Sequence, residues 1–293
     1  MDFTISASTD AGIKRRVNED SVFACKIKTE GGNMVFAALC DGMGGLSNGA
    51  FASATVLDAF IRWAKYTLPV ISRRDIPDHM IIDQWSTIIE TQNERLRSYG
   101  RAHGVTVGTT AVALLLTERR YYIVNIGDSR AYVINGDITQ LTTDHSLVAR
   151  EVSNGNITAT QAEQAPGRNI LTQCVGGREA AVAPDIYMGR IDVNTVYMLC
   201  SDGLRHKMSS RELYEYLKPS YMNNACEMKS QEYALIDCNK LRGETDNISI
   251  ITIRTGETTA ASPSRANTRG PERFTVEEEI IYAHASPWCA SFP

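Results

Sequence analysis

The stretch Val35-Phe36-Ala37-Ala38-Leu39-Cys40-Asp41-Gly42-Met43-Gly44-Gly45 decides how this chain folds. Its six leading, mostly apolar residues have the length and composition of a buried strand. An aspartate follows, then three glycines within four positions. A strand thus leaves the core on a carboxylate and a loop almost bare of side chains, where glycine lets backbone come close to a neighbour. The design recurs in Thr195-Val196-Tyr197-Met198-Leu199-Cys200-Ser201-Asp202-Gly203. It recurs in reverse where Thr245-Asp246-Asn247 leads into Ile248-Ser249-Ile250-Ile251-Thr252-Ile253. A sheet can gather carboxylates placed at strand ends. Gathered without a basic partner, they repel unless a cation lies between them.

Upstream, residues 3–9 alternate as a strand, Asp10-Ala11-Gly12 breaks it, and Lys14-Arg15-Arg16-Val17-Asn18-Glu19-Asp20 leads into a second strand over 22–27. Glu30-Gly31-Gly32-Asn33 then makes a hairpin turn into the Asp41 strand. This places Asp20 and Asp41 on paired strands, with the register left open. Downstream, apolar spacing predicts helices over 49–66 and 76–99. Strands follow over 108–116 and 121–126. Gly127-Asp128-Ser129-Arg130 interrupts the next apolar pattern and reads as a bulge or a site. Asn135-Gly136-Asp137 is a hairpin signal. Residues 144–177 turn polar and read as a flap over the sheet. Further strands are expected over 185–188, 193–200 and 248–254, and helices over 209–217 and 226–241. The start Ser209-Ser210-Arg211-Glu212 has capping-box form. Hairpin-ordered strands with two long helices between them predict an α+β fold, an antiparallel sandwich with helices outside. The folded domain is expected over 1–255. Residues 256–293 read as a linker and disordered tail, with a short helix over 277–283.

Hydrophobic residues make up 43% of the 293, enough for a sizeable core. The net charge of −4 offers no footprint for nucleic acid or an anionic membrane. Seven cysteines without a CxxC or a pairing rhythm predict a reducing, cytoplasmic setting. No signal peptide, membrane span or internal repeat is read from the sequence.

Arg15-x-x-Asn18-Glu19-Asp20, Asp41-Gly42-Met43-Gly44-Gly45, Gly108-Thr109-Thr110, Gly127-Asp128-Ser129-Arg130, Ser201-Asp202-Gly203 and Thr245-Asp246-Asn247 occur in one order. In order and spacing they resemble the bacterial form of the metal-dependent Ser/Thr protein phosphatases of the 2C type. The flap residues Asp144-His145-Ser146 and Arg168-Asn169-Ile170-Leu171-Thr172 match that form too. The resemblance covers residues 3–254. Each motif alone is weak, and together they are strong.

The resemblance implies a four-layer α-β-β-α sandwich with two Mn²⁺ or Mg²⁺ ions at one end. By motif position it makes Asp20 and Asp41 metal ligands, Asp41 bridging. The Gly42 carbonyl is a further ligand, and Asp202 and Asp246 bind one of the two ions. Arg15 would hold the substrate phosphate. Asp128 matches a position linked to a third, weaker ion, although a turn residue explains it equally well. The implied chemistry is in-line attack by a hydroxide shared between two ions about 3.5–4 Å apart, with no protein nucleophile. The implied partners are proteins phosphorylated on Ser or Thr and a Ser/Thr kinase that the enzyme opposes. A partner-switching phosphatase of an anti-anti-sigma-like protein and a non-catalytic module on the same fold are the alternatives. The full set Asp20, Asp41, Asp202 and Asp246 speaks against the second.

Other residues read more plainly. Glu19 orients neighbours or binds a metal water. Asn18 and Asn247 read as turn or supporting groups, and Thr109 and Thr110 as strand residues near the site. The Gly44-Gly45 loop could cradle a phosphate but lacks a nucleotide P-loop ending. His103, His206 and His284 read as surface histidines. Met43 stands where some family members have a histidine proposed as general acid. That leaves His145 as the nearest motif histidine, read here as a group that orients the flap.

Overall fold

The computed structural model describes residues 1–29, 32–44, 48–72, 76–177, 181–257 and 275–282. Three strands open the chain: β1 (Asp2–Asp10), β2 (Asp20–Thr29) and β3 (Gly32–Met43). Helix α1 (Asn48–Arg62) runs through a π turn at Trp63–Thr67 into α2 (Leu68–Ile71), and α3 (Asp78–His103) follows. Gly104, at φ 65°, ends α3 in the left-handed conformation glycine tolerates. Strands β4 (Gly108–Thr109), β5 (Ala111–Leu116), β6 (Arg120–Ile126), β7 (Arg130–Ile134) and β8 (Ile138–Gln140) come next. The flap holds α4 (Leu147–Ser153) and α5 (Ala159–Gln164). After it come β9 (Asp185–Arg190), β10 (Val196–Cys200), α6 (Asp202–Arg205), α7 (Ser210–Leu217), α8 (Ala225–Leu241), β11 (Ile248–Gly256) and β12 (Thr275–Tyr282). The expected capping box is present: Ser209 Oγ accepts from the Glu212 N–H, and Glu212 accepts from the Ser209 N–H.

Two antiparallel sheets lie face to face. One runs β1-β11-β10-β7-β8; the other runs β12-β2-β3-β5-β6-β9, with β4 on the end of β3. Alternation along β3 shows why the sequence reads as a continuous apolar run. Val35, Ala37 and Leu39 face Phe3, Ile5, Tyr197 and Ile251 between the sheets. Phe36, Ala38 and Cys40 face Phe60, Trp63 and Trp85 from the outer helices. Both faces of a period-2 strand are therefore buried. On the other side, Met198 and Ile250 pack against Leu213, Leu217, Met228 and Leu235 of α7 and α8. Three apolar layers separate four structural layers, as the sequence predicts.

The end of the chain departs from expectation. Where a short helix was expected over 277–283, β12 instead pairs antiparallel with β2, Thr275 opposite Lys28 and Tyr282 opposite Val22. Helical spacing over so short a segment is a weak local signal. The unpaired edge of β2 offers a full ladder of backbone partners, and tertiary pairing overrides local preference. The rest of the expected tail, 258–274 and 283–293, lies outside the described residues, as do Glu30, Gly31, Gly45 and His284.

A chain ending at Glu257 is expected to keep turnover of a small phosphate ester, because β11 completes its sheet without β12. Its melting temperature should fall by a few degrees, since the β2 edge is uncovered. Calorimetry with an ester assay checks both. An unchanged melting temperature would show that β12 adds no stability, and lost turnover would put the tail inside the catalytic domain.

Candidate active site

The register left open by the sequence is resolved at the end of the β2–β3 ladder: Asp20 stands directly opposite Asp41. Thr110 and Thr109 fix the Asp41 backbone. Thr110 Oγ1 accepts from the Asp41 N–H at 3.0 Å, and the Thr110 N–H and Thr109 Oγ1 both donate to its carbonyl at 2.9 Å. Asp202 opens α6 straight after β10, and Asp246 lies two residues before β11. Strand order therefore delivers four carboxylates to one end of the sandwich. A cleft of about 250 Å³ opens there, lined by Arg15, Asp41, Gly42, Asp128, Asp202 and Asp246. Asn169 and Leu171 of the flap line it as well. Asp20 is buried behind this wall at 2% exposure.

Gly42 must be glycine: a Cβ there would lie 2.1 Å from the Gly49 carbonyl oxygen. This close approach seats the start of α1 under the Asp41 loop. It also lets the Gly49 N–H donate to Glu19 Oε1 and the Gly42 N–H to the Glu19 carbonyl, both at 3.2 Å. Asn247 ties down the loop that carries Arg15. Its Nδ2 donates to the carbonyls of Ala11 and Val17, and its Oδ1 accepts from the Glu19 N–H at 2.9 Å. Asn18 Oδ1 accepts from the Asp20 N–H. Arg15, half exposed, pairs with Asp246 at 3.0 Å.

The carboxylates are held against their chemistry. Burial, then repulsion from Asp202 and Asp246, raises the Asp20 pKa to about 7, although hydroxyl donation from Ser249 and Ser201 opposes the rise. Burial and the neighbouring aspartates raise Asp41 as well. Burial and Asp202 raise Asp128 to about 7 against the pull of Arg205. Burial also raises Asp202, opposed by His206 and Arg205. Ser249 Oγ donates to one oxygen of Asp20 at 2.5 Å, while the other, Oδ1, is buried with no partner among the described residues, as is Asp202 Oδ1. Like charges forced together with orphaned oxygens are what a hard divalent cation would satisfy. Among the described residues, no three Asp, Glu, His or Cys side chains close on one point. The donor set therefore suits an ion that keeps much of its water, as Mg²⁺ does.

Two histidines resolve differently. His145 is buried in the flap base. Its Nδ1 accepts from the Gly127 N–H at 3.3 Å, its Nε2 lies 3.2 Å from Asp185 Oδ2, and its backbone bonds Gly127 and Thr172. These contacts tie it to the base of the flap. His206, expected at the surface, is a correction. Its side chain is 8% exposed and bridges Asp202 Oδ2 at 3.3 Å and Glu244 Oε2 at 3.6 Å. Burial disfavours the Glu244 charge, yet His206 and the N–H groups of Asp246 and Thr245 hold its pKa at about 2. The sequence carried the signal in the i, i+4 spacing of Asp202 and His206 across a helical turn. Ser249, Arg205 and Glu244 had no such signal, since only the fold brings them to the carboxylates.

A carboxyl whose pKa is higher folded than unfolded holds its proton better in the folded state. Stability then declines as pH rises from the ordinary carboxyl range to about 7. The chelator-treated protein is expected to melt at lower temperature at pH 8 than at pH 5, and Mn²⁺ should restore more at pH 8. Scanning calorimetry across that range checks it. A melting temperature that rises with pH would contradict the charge repulsion.

Comparison with known proteins places the chain and its fold in one family. The protein phosphatase 2C family model matches residues 13–234. A Streptococcus pyogenes protein of the phosphatase 2C type is 35% identical over 249 residues, covering 84% of this chain and 95% of the relative. The structure of the S. agalactiae serine/threonine phosphatase superposes with a TM-score of 0.75 at 28% identity, over 86% of this chain and 99% of that one. The catalytic domain of the serine/threonine protein phosphatase PstP in complex with two manganese ions superposes with a TM-score of 0.69 at 28% identity, over 87% and 99%. With its motifs gathered at one end of the matching sandwich, the chain belongs to the protein phosphatase 2C family.

Proposed function

We propose that the cleft hydrolyses phosphoserine and phosphothreonine on cytoplasmic proteins, opposing a Ser/Thr kinase. In this reading Asp20, Asp41, the Gly42 carbonyl, Asp202 and Asp246 hold two Mn²⁺ or Mg²⁺ ions, and Arg15 holds the phosphate. The observation that carries it is the pair of buried oxygens, Asp20 Oδ1 and Asp202 Oδ1, that no described residue partners, among carboxylates that burial already penalises. Bound ions of this kind supply Lewis acidity, making water nucleophilic near neutral pH and offsetting phosphoryl charge.

The residues of the chain supply position. Arg15 presents a planar fork suited to two phosphate oxygens, and its exposed side chain can leave Asp246 for that partner. Thr109 and Thr110 lock Asp41, and Ser249 takes one oxygen of Asp20 so that the other points free. Asn169 and Leu171 place the flap along the cleft wall, where a substrate chain would pass. No described helix is long and apolar enough to cross a membrane. Cys40, Cys174, Cys200, Cys226 and Cys238 carry free thiols, which supports a reducing compartment.

Asp41→Ala and Asp202→Ala are each expected to lower phosphopeptide turnover by about 10³-fold with the circular dichroism unchanged. Excess chelator should abolish wild-type turnover. Full activity in chelator would refute a metal-dependent reaction.

His145→Gln separates flap anchoring from proton donation. An alkoxide leaving from phosphoserine needs a proton that nitrophenolate hardly needs, and general-acid help is worth about 10²–10⁴-fold. Because both ring nitrogens of His145 are engaged by Gly127 and Asp185, similar losses on a phosphopeptide and on nitrophenyl phosphate are expected. Collapse on the phosphopeptide alone would make His145 the acid.

A further inference from the structure

Beside the cleft lies a buried charge network that the proposed chemistry does not use. Arg205 ends α6, three residues beyond Asp202. Its Nη2 donates to the Asp128 carbonyl oxygen at 3.1 Å and to Asp128 Oδ2 at 3.3 Å, and it lies 3.5 Å from Asp144 Oδ2. Arg130 grips the same Asp144 with both prongs, Nε to Oδ1 and Nη2 to Oδ2, each at 2.8 Å. The side chains of Arg205, Asp128 and Asp144 are 15%, 7% and 8% exposed. Two guanidinium groups thus face two carboxylates, Arg205 largely buried and Arg130 24% exposed.

Asp128 occupies the position where the family resemblance implies a third, weaker ion. We infer that Arg205 takes that ion's place in this chain: a cation built into α6 neutralises Asp128 and ties it to the flap base, so that the site takes two ions and not three. The inference rests on the reading that the cleft binds metal at Asp20, Asp41, Asp202 and Asp246.

Three features support it. One carboxylate oxygen of Asp128, Oδ2, and its carbonyl oxygen, both of which a hard cation would seek, are engaged by one guanidinium nitrogen. That nitrogen cannot lose its charge, because arginine stays protonated in proteins. An arriving divalent ion would therefore meet a fixed positive charge where burial leaves little salt to screen it. The same contacts make Arg205 a positioning residue. It fixes the loop 127–129 and Asp144, where the flap begins, relative to Asp202, whatever the metal concentration.

The experiment counts bound Mn²⁺ by equilibrium dialysis and electron paramagnetic resonance into the millimolar range. It uses wild type, Arg205→Ala, Arg205→Lys and the double variant Arg205→Ala/Asp128→Asn. Wild type and Arg205→Lys, which keeps the charge, are expected to hold two ions. Arg205→Ala is expected to gain a third, which Asp128→Asn removes. Where truncation unfolds the protein, Arg205→Gln keeps hydrogen-bonding capacity without the charge, and the same gain is expected. Three ions in wild type, or two in both uncharged variants, would overturn the inference while leaving the metal reading intact. A wild type that binds none overturns the metal reading itself.

Discussion

Asp20 and Asp41 face each other across the last rung of the β2–β3 ladder, one buried in the sandwich and the other on the cleft wall. Two carboxylates in that position cannot both ionise freely without a positive charge nearby. Much of the site can be understood as the distribution of that charge. Arg15 answers Asp246, Arg205 answers Asp128, and His206 stands between Asp202 and Glu244. Among the described residues, no cation reaches the free oxygens of Asp20 and Asp202. The fold thus neutralises the rim of the cleft with its own side chains and leaves the carboxylates at its centre uncompensated.

The scaffold makes this tolerable because it is rigid where the charges meet. The strands that carry the carboxylates are covered on both faces by apolar side chains. Their ends are held by short backbone contacts that glycine alone permits, as at Gly42 against Gly49 and at Gly203, where a Cβ would lie 2.1 Å from the Asn247 carbonyl oxygen. An acceptor such as Asp41, clamped at both its N–H and its carbonyl, cannot turn away from its neighbours to escape repulsion. Such preorganisation is what places a phosphate and its attacking water without reorganisation at the moment of reaction.

The sequence was most legible where one residue type had a single physical use. Apolar runs ending in Asp-Gly marked strand ends, and the order of motifs carried both the layered fold and membership of the phosphatase 2C family. Pairings between distant residues were not legible. The register of Asp20 against Asp41 depends on the hairpin between them. The burial of His206 depends on α6 turning it onto Asp202 and Glu244. Strand β12 was misread as helix because its local pattern is short and its partner, the β2 edge, lies more than 200 residues away in the chain. Arg205 draws no reading from the sequence, because nothing near it names Asp128 as its partner.

The most direct measurement of this charge balance is the number of protons released when Mn²⁺ binds the metal-free protein at pH 6.5. It is obtained by titration calorimetry in buffers of different ionisation enthalpy. With burial and repulsion holding the Asp20 pKa at about 7, ion binding must expel protons from the carboxylates. About one proton or more per protein is expected at that pH, declining as the pH is raised toward 8.5. Binding with no proton release at pH 6.5 would contradict the account, because the carboxylates would then be ionised and at ease before any ion arrived.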